Sequence, residues 1–380
     1  MPTTLTTTAE VLAFADLPAA DIAAWEALQN AAPEFSNPLF GPRFSRAVAA
    51  VRSDVRVAVY RRGGGPFGFL PFHKRPGGLA RPIGAPFSDY QGLVSNGDIG
   101  ISGAQALSLA GIKLFRANGL VDPFGLFRTD GFEQIEAFAI EPGAAAEAYL
   151  EALRAGNPKR FKNFRRLENR LEREVGPLTF VADDRSPEAF EAVMRWKREQ
   201  FQRTGLQDVL RPDWVSRLMA DLFATREGAM TGQLSSLYAG GHLVAGHFGP
   251  RQGGVFHPWI ASTNPEFVEH SPGQAYVMNA IRAMPASGLV RYDLASGHDH
   301  YKRPFGPVIS TVLAGTLTSR PGAGPAFAAA PSAVRKVFRR LDHIAALNPT
   351  LSGRARGLAE AAMATTKRGF GNASSSEGVS

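Results

Sequence analysis

The residues whose types and spacing could do chemistry fall mostly between Val255 and Phe305. His257 sits in a strand-like run (Val255-Phe256-His257-Pro258-Trp259-Ile260), and Ser271-Pro272-Gly273-Gln274 precedes a helical stretch. Asp293 falls at a strand end, Gly297 permits a tight exit from it, and Tyr301-Lys302 open the next segment. A helix that starts after small residues exposes unpaired backbone N–H groups and the positive end of its dipole. Ser271, Gly273 and Gln274 are therefore candidates to hold a pyrophosphate such as coenzyme A carries. An imidazole titrates near neutrality, which makes His257 a candidate base, with His242, His247, His298 and His300 as further imidazoles. Asp293 is either a second base or the partner that orients Lys302, and Tyr301 is the candidate acid for a departing group.

In the first half, Pro86-Phe87-Ser88-Asp89-Tyr90-Gln91-Gly92 is polar, aromatic and loop-like. Asp89, Tyr90 and Gln91 suit an acceptor-binding loop, and equally a turn carrying an exposed tyrosine. His298-Asp299-His300 does not predict a metal site, because adjacent residues alternate in direction and no second cluster has ligand spacing. Gly-x-Ser-x-Gly, Walker-type and dinucleotide glycine patterns are missing. The absence of cysteine excludes thiolate chemistry and a disulfide framework.

The elements that must position these residues recur in one order. Residues 18–32 carry an apolar pattern around Ile22, Trp25 and Leu28 that Pro33 ends, and Pro42–Val51 predicts a second helix. Strands follow at Val55–Tyr60 and Phe67–Phe72 around the turn Gly63-Gly64-Gly65-Pro66, with a looser one at Asp89–Val94. Ser102–Asn118 has helical length and period, Gly119 is placed to cap it, and Val121–Phe127 and Gln134–Ile140 read as strands. The second half repeats the series. It has helices from Ser186 to Arg203 and over Pro212–Arg226, then strands at Leu234–Tyr238 and His242–Gly249 around Ala239-Gly240-Gly241. A third strand spans Val255–Ser262, interrupted near His257–Trp259 because Pro258 offers no N–H. A helix at Pro272–Ala286 and strands at Leu289–Leu294 and Val308–Leu317 close the series.

A chain of 380 residues exceeds the usual single core. The expected fold class is α/β (α+β), with two tandem units, each a mixed, mostly antiparallel sheet flanked by helices. The divisions are a flexible leader at 1–15, a first domain at 16–156, a basic connecting helix at 157–175, a second, catalytic domain at 176–318, and a basic, partly disordered tail at 319–380. Asn157–Glu174 places Phe161, Phe164, Leu167 and Leu171 on one face and seven Lys or Arg elsewhere. Its basic face is either solvated or in contact with phosphate. Between Arg320 and Ser380 there are nine Lys or Arg against three Asp or Glu, so the tail holds six of the eight net positive charges. Such a tail suits weak contact with an anionic membrane surface or simple solvation, and no specific nucleic acid is expected. No apolar run reaches the ~18 residues of a membrane span, and the first thirty residues lack a basic segment followed by an apolar one. A cytoplasmic protein is the expectation.

The Asp293-x3-Gly297-x3-Tyr301-Lys302 pattern, the Ser271-Pro272-Gly273 helix start and the basic 157–174 helix together resemble the CelD/BcsL (cellulose-biosynthesis-type) acetyltransferase family. That family belongs to the GNAT superfamily and is related to the two-domain FemABX aminoacyltransferases. The resemblance covers about residues 20–318. It implies acyl transfer from acyl-CoA (acetyl-CoA), without a metal, to an amine or hydroxyl of a small-molecule or saccharide acceptor, in exopolysaccharide or cell-envelope synthesis. A freed backbone N–H near His257–Trp259 would steady the developing oxyanion. Two alternatives stand beside it. The basic helix and tail suit a FemABX-like transferase that draws on aminoacyl-tRNA, and the single loop glycine, Gly273, suits a non-catalytic scaffold.

Overall fold

The computed structural model describes residues 6–97, 99–297 and 302–320, with residues 337, 341, 344–348, 353–355 and 357–359 of the C-terminal segment. The first half runs β1 (Thr8–Leu12), α1 (Ala19–Ala31), α2 (Pro42–Val51), β2 (Val55–Arg62), β3 (Gly65–Lys74), β4 (Leu79–Pro82), β5 (Val94–Ser95), α3 (Gly103–Leu109), β6 (Leu114–Leu120) and β7 (Glu133–Ile140). Helices α4 (Ala146–Gly156) and α5 (Pro158–Glu174) lead to the second half. There follow β8 (Leu178–Val181), α6 (Pro187–Thr204), α7 (Asp213–Ala224), β9 (Met230–Ala239), β10 (His242–Gln252), β11 (Val255–Phe256), β12 (Ile260–Thr263), α8 (Pro272–Ala283), β13 (Arg291–Ser296) and β14 (Val308–Thr318).

Among the described residues, fourteen strands form a single sheet in the order β1-β2-β3-β4-β6-β14-β7-β13-β11-β10-β9-β8, with β5 on β3 and β12 on β10. The fold is mixed α/β, and the sheet is mostly antiparallel. Only β4–β6 and β11–β13 pair in parallel among the named strands, and they occupy the same place in each half. In both, the third strand of a meander lies beside the strand that follows a helix. The last strands are exchanged: β14 pairs with β6 of the first half, while β7 pairs with β13 of the second. These two exchanged strands also pair with each other at the centre of the sheet.

Local sequence explains most of these elements. Ser186 Oγ accepts the Ala189 N–H at the start of α6, and Gly205, at φ 64°, ends that helix in the left-handed conformation. Helix α5 buries Phe161, Phe164, Leu167 and Leu171 and leaves its basic residues outside. The helix expected over Ser102–Asn118 is corrected to α3 followed by β6. Its Ser102–Gln105 capping box starts a true helix, but Gly111 turns the chain at φ 67°. Leu114–Leu120 is then held by β14 on one side and β4 on the other, so pairing partners override a helical period. Val121–Phe127 is a loop, fixed where Asp122 accepts the N–H groups of Leu126 and Phe127.

One core joins the halves: Trp25, Phe44 and Val48 of α1 and α2 belong with Val215, Leu218 and Leu222 of α7. Each large apolar side chain so buried contributes about 1.5–3 kcal/mol relative to exposure. Beyond β14, Trp214 Nε1 donates to Leu347 O at 2.8 Å, which fastens residues 344–347 to α7. Among the described residues, no helix is long and apolar enough to cross a membrane.

Candidate active site

The site begins with an interrupted strand. β11 lies between β10 and β13, whereas β12 keeps β10 alone. Pro258 occupies the break, flanked by His257 N–H to Pro250 O and Trp259 N–H to Phe248 O, each 2.9 Å. Gly249 makes this close approach possible, since a Cβ there would stand 2.1 Å from His257 O. The result is an open backbone edge on β12, facing away from β10.

Beside that edge is a cleft of about 650 Å³, lined by Trp196, Gln200 and Arg203 of α6, Ser262 of β12, and Ser271, Gly273 and Gln274 at the start of α8. Ser271 adopts a left-handed backbone, φ 50°, without a side-chain cap. Pro272 has no N–H and Gln274 N–H turns back to Ser271 O at 3.2 Å, so Gly273 N–H is the first-turn donor without a partner in the helix. Ser262 Oγ and Gln274 Oε1 are buried without a hydrogen bond. His247 also lines the cleft. Its Nδ1 meets Tyr292 Oη at 2.5 Å and its ring stacks on Tyr276. Burial, then the nearby Lys197 charge, push its pKa down to about 3, so the imidazole is neutral.

On the opposite face of the sheet, residues from both halves meet. Alternation along β13 turns Tyr292 toward His247 and Asp293 toward the first half. Asp293 Oδ1 accepts Tyr90 Oη–H and Ala295 N–H, each 2.8 Å, and Oδ2 accepts Asn37 Nδ2–H at 2.9 Å. His257, fully buried, places Nε2 2.9 Å from Asp89 Oδ2 and Nδ1 3.5 Å from Asp293 Oδ1. Burial opposes charge on this ring, but Asp293 and then Asp89 outweigh it and push the pKa up to about 9. The Asn37 amide 3.0 Å from Nδ1 favours the uncharged ring; two carboxylates outweigh one amide dipole, and the imidazolium dominates at neutral pH. Burial acts to raise the Asp293 pKa, yet His257, Tyr90 and the Ala295 N–H hold it below the usual carboxylate range. Tyr90 is pushed well up by burial and by the Asp293 charge. Asn37, Tyr90 and Asp293 line a cleft of about 520 Å³ between the halves.

Ala295, at φ 62°, follows Asp293 at an irregularity in the pairing of β13 with β7. Among the described residues, Ser271 and Ala295 are the non-glycine positions with positive φ, and each adjoins one of the two clefts. Such strain persists where surrounding structure over-determines it, as functional sites do.

Residues 158–303 match the family model of the acetyltransferase (GNAT) domain. That span of the chain is similar to a GNAT acetyltransferase domain. Similar solved structures include FemX, at TM-score 0.51 and 12% identity over 82% of this chain and 97% of that one. Others are a tandem GNAT protein from the clavulanic acid biosynthesis pathway (TM-score 0.44, 13% identity, 83% and 100% covered) and a GCN5-related N-acetyltransferase from Sphaerobacter thermophilus (TM-score 0.42, 13%, 83% and 96%). No curated protein matches the chain.

The structure brings Asp89, Tyr90, His257 and Asp293 into one cluster and Ser271, Gly273 and Gln274 into one cleft. It does not bring these two groups to the same face. Gln91 is buried and structural: its Oε1 accepts the N–H groups of Asn118 and Gly119, which fixes the Asp89–Tyr90 loop. Lys302 is buried and donates to Ser296 O at 2.9 Å, while Asp293 takes its hydrogen bonds from Tyr90, Asn37 and Ala295. Tyr301, His298 and His300 lie outside the described residues. Among those described, no group of three or more His, Cys, Asp or Glu could hold a metal ion. Sequence reasoning missed Asn37, whose only local signal is its place before Pro38, where its Oδ1 accepts Leu39 N–H. Its partners stand 220 and 256 residues away.

Proposed function

We propose that the protein transfers an acyl group from acyl-CoA to an amine or hydroxyl of a small acceptor, with the donor at the α8 cleft, its thioester reaching through the gap between β12 and β13, and the acceptor in the cleft between the halves on the other face. The observation that carries this reading is the parting of β12 from β13 beside the uncapped start of α8, where buried Ser262 Oγ and Gln274 Oε1 lack partners. Those groups fit a ligand rich in amides and phosphate. The Gly273 N–H and the helix dipole suit the pyrophosphate, and the open β12 edge suits the pantetheine amides.

The chemistry is addition of the acceptor nitrogen or oxygen to the thioester carbonyl, then loss of the thiolate, with one proton leaving the nucleophile and one reaching the sulfur. Asp293 Oδ2, which accepts one bond from Asn37, retains capacity for the acceptor's N–H or O–H and takes its proton as the new bond forms. His257, charged and clamped, holds Asp293 ionised and in place rather than acting as the base. Tyr301 is the proposed donor to the departing sulfur. Asp89 and Tyr90 position the acceptor, for which an exopolysaccharide or cell-envelope precursor is the case that the CelD/BcsL resemblance suggests, handled in the cytoplasm.

Thermal melting with saturating acetyl-CoA tests the donor. Ligand at a hundredfold excess over Kd stabilises by about 2.7 kcal/mol. An unmoved melting temperature across a panel of acyl-CoAs sinks the reading. Thiol release with an amine acceptor, lost in Asp293→Asn while the melt remains cooperative, separates an enzyme from a scaffold.

A further inference from the structure

We infer that the groove between α4 and α5 seats the nucleotide end of the donor, with Lys162 and Arg165 recognising the 3′-phosphate of acyl-CoA. The inference rests on the acyl-CoA reading and deepens it. The groove encloses about 620 Å³, and its lining includes Arg154, Phe161, Lys162, Arg165 and Arg166. Glu151 is the one carboxylate in that lining, and it is taken by Arg154 at 2.7 Å. Arg166 meets only the Asn163 amide, and neither Lys162 nor Arg165 has a partner among the described residues.

The charge on α5 is segregated. On its flank toward α8, Glu168 takes Arg282 at 2.7 Å and Asn279 at 2.8 Å, and Glu174 takes Arg170 and His270. On the groove side Arg154 and Arg173 are taken by Glu151 and Glu174, while Lys162, Arg165 and Arg166 have no carboxylate partner among the described residues. A terminal phosphate carries about −1.5 to −2 charges near neutral pH and offers three acceptor oxygens, which suits a guanidinium fork beside an ammonium.

The groove also adjoins the donor cleft. Phe305 lines that cleft, Phe161 lines the groove, and their ring centroids are 6.3 Å apart; Phe164 stacks on Phe305 at 5.1 Å. One aromatic wall therefore divides the start of α8 from the unpaired cations. A donor whose pyrophosphate meets Gly273 extends its nucleotide over that wall.

The test is calorimetric titration of the full chain with acetyl-CoA and with its 3′-dephospho analogue, in the native protein and in K162A/R165A. Both positions are exposed, and a matched melting temperature checks the fold. The native protein is expected to prefer acetyl-CoA by about tenfold or more, the scale of one charge-assisted hydrogen bond. The variant is expected to lose that preference while binding the dephospho analogue as before. A preference retained in the variant, or absent from the native protein, overturns the inference and leaves the acyl-CoA reading standing. Failure of the native protein to bind either compound removes both. Bulk tRNA bound at low salt by the native protein but not by the variant, with CoA discrimination intact, would overturn it in favour of a nucleic-acid surface.

Discussion

His257 Nε2 stands 2.9 Å from Asp89 Oδ2, so a side chain at the broken strand of the second half is held by a carboxylate of the first. With Asp293 on its other nitrogen, the ring has a pKa of about 9 in the folded protein, against about 6.5 unfolded. A raised pKa stabilises fully below the unfolded value and is lost as pH rises through the folded one. We expect the melting temperature to fall between pH 7 and 10 by the equivalent of up to about 3 kcal/mol, and His257→Gln to flatten that slope. An equal slope in the variant would contradict the assignment.

Asp293 has the opposite sign. Its lowered pKa stabilises the fold above the unfolded carboxylate value and is lost as pH falls through the folded one. Asp293→Asn leaves His257 without the fully buried one of its two counter-charges, and breaking such a pair costs about 3–5 kcal/mol. In a double-mutant cycle with His257→Gln, measured by urea unfolding, the two losses should fall well short of additive.

Asn37→Leu keeps the branched shape but removes the donors facing Asp293 and His257 and the acceptor for Leu39 N–H. A loss of about 1–3 kcal/mol in denaturant unfolding is expected, with kcat reduced more than KM for the donor. Unchanged kcat would separate Asn37 from the chemistry.

One substitution at two glycines should give opposite results. Gly273→Ala meets only Thr263 Cγ2 at 3.4 Å, in a helix turn, and should be neutral or stabilising by about 0.4–1 kcal/mol. Gly249→Ala drives a Cβ into His257 O and should cost at least about 1–3 kcal/mol, seen as a lower urea midpoint. Gly273→Trp, which fills the cleft, should abolish the acetyl-CoA thermal shift without lowering the melting temperature of the free protein.

The parts of this fold that were legible in the sequence are those whose cause is local. Pro258 announces the break between β11 and β12, Ser186 and Gly205 bound α6, and the Phe161–Leu171 stripe marks the buried face of α5. Leu114–Leu120 was not legible, because nothing within it distinguishes a helix from a strand; its partner Val308–Thr318 lies near the other end of the folded chain. The same distinction holds at the site. Asp293 and His257 stand out by type and by place on strands, and Asp89 and Tyr90 by a polar loop. Asn37 contributes through contacts that only the folded chain creates.

The exchange of β7 and β14 has a consequence for biogenesis. Until Val308–Thr318 has left the ribosome, β6 and β7 lack the strand that lies between them, and the first half waits with an unzipped seam. Exposed seams of this kind invite pairing with other nascent chains. A gene cut at the α4–α5 connection would therefore yield two fragments that are each missing a piece of the other, and co-expression, not separate purification, is the route by which they would recombine.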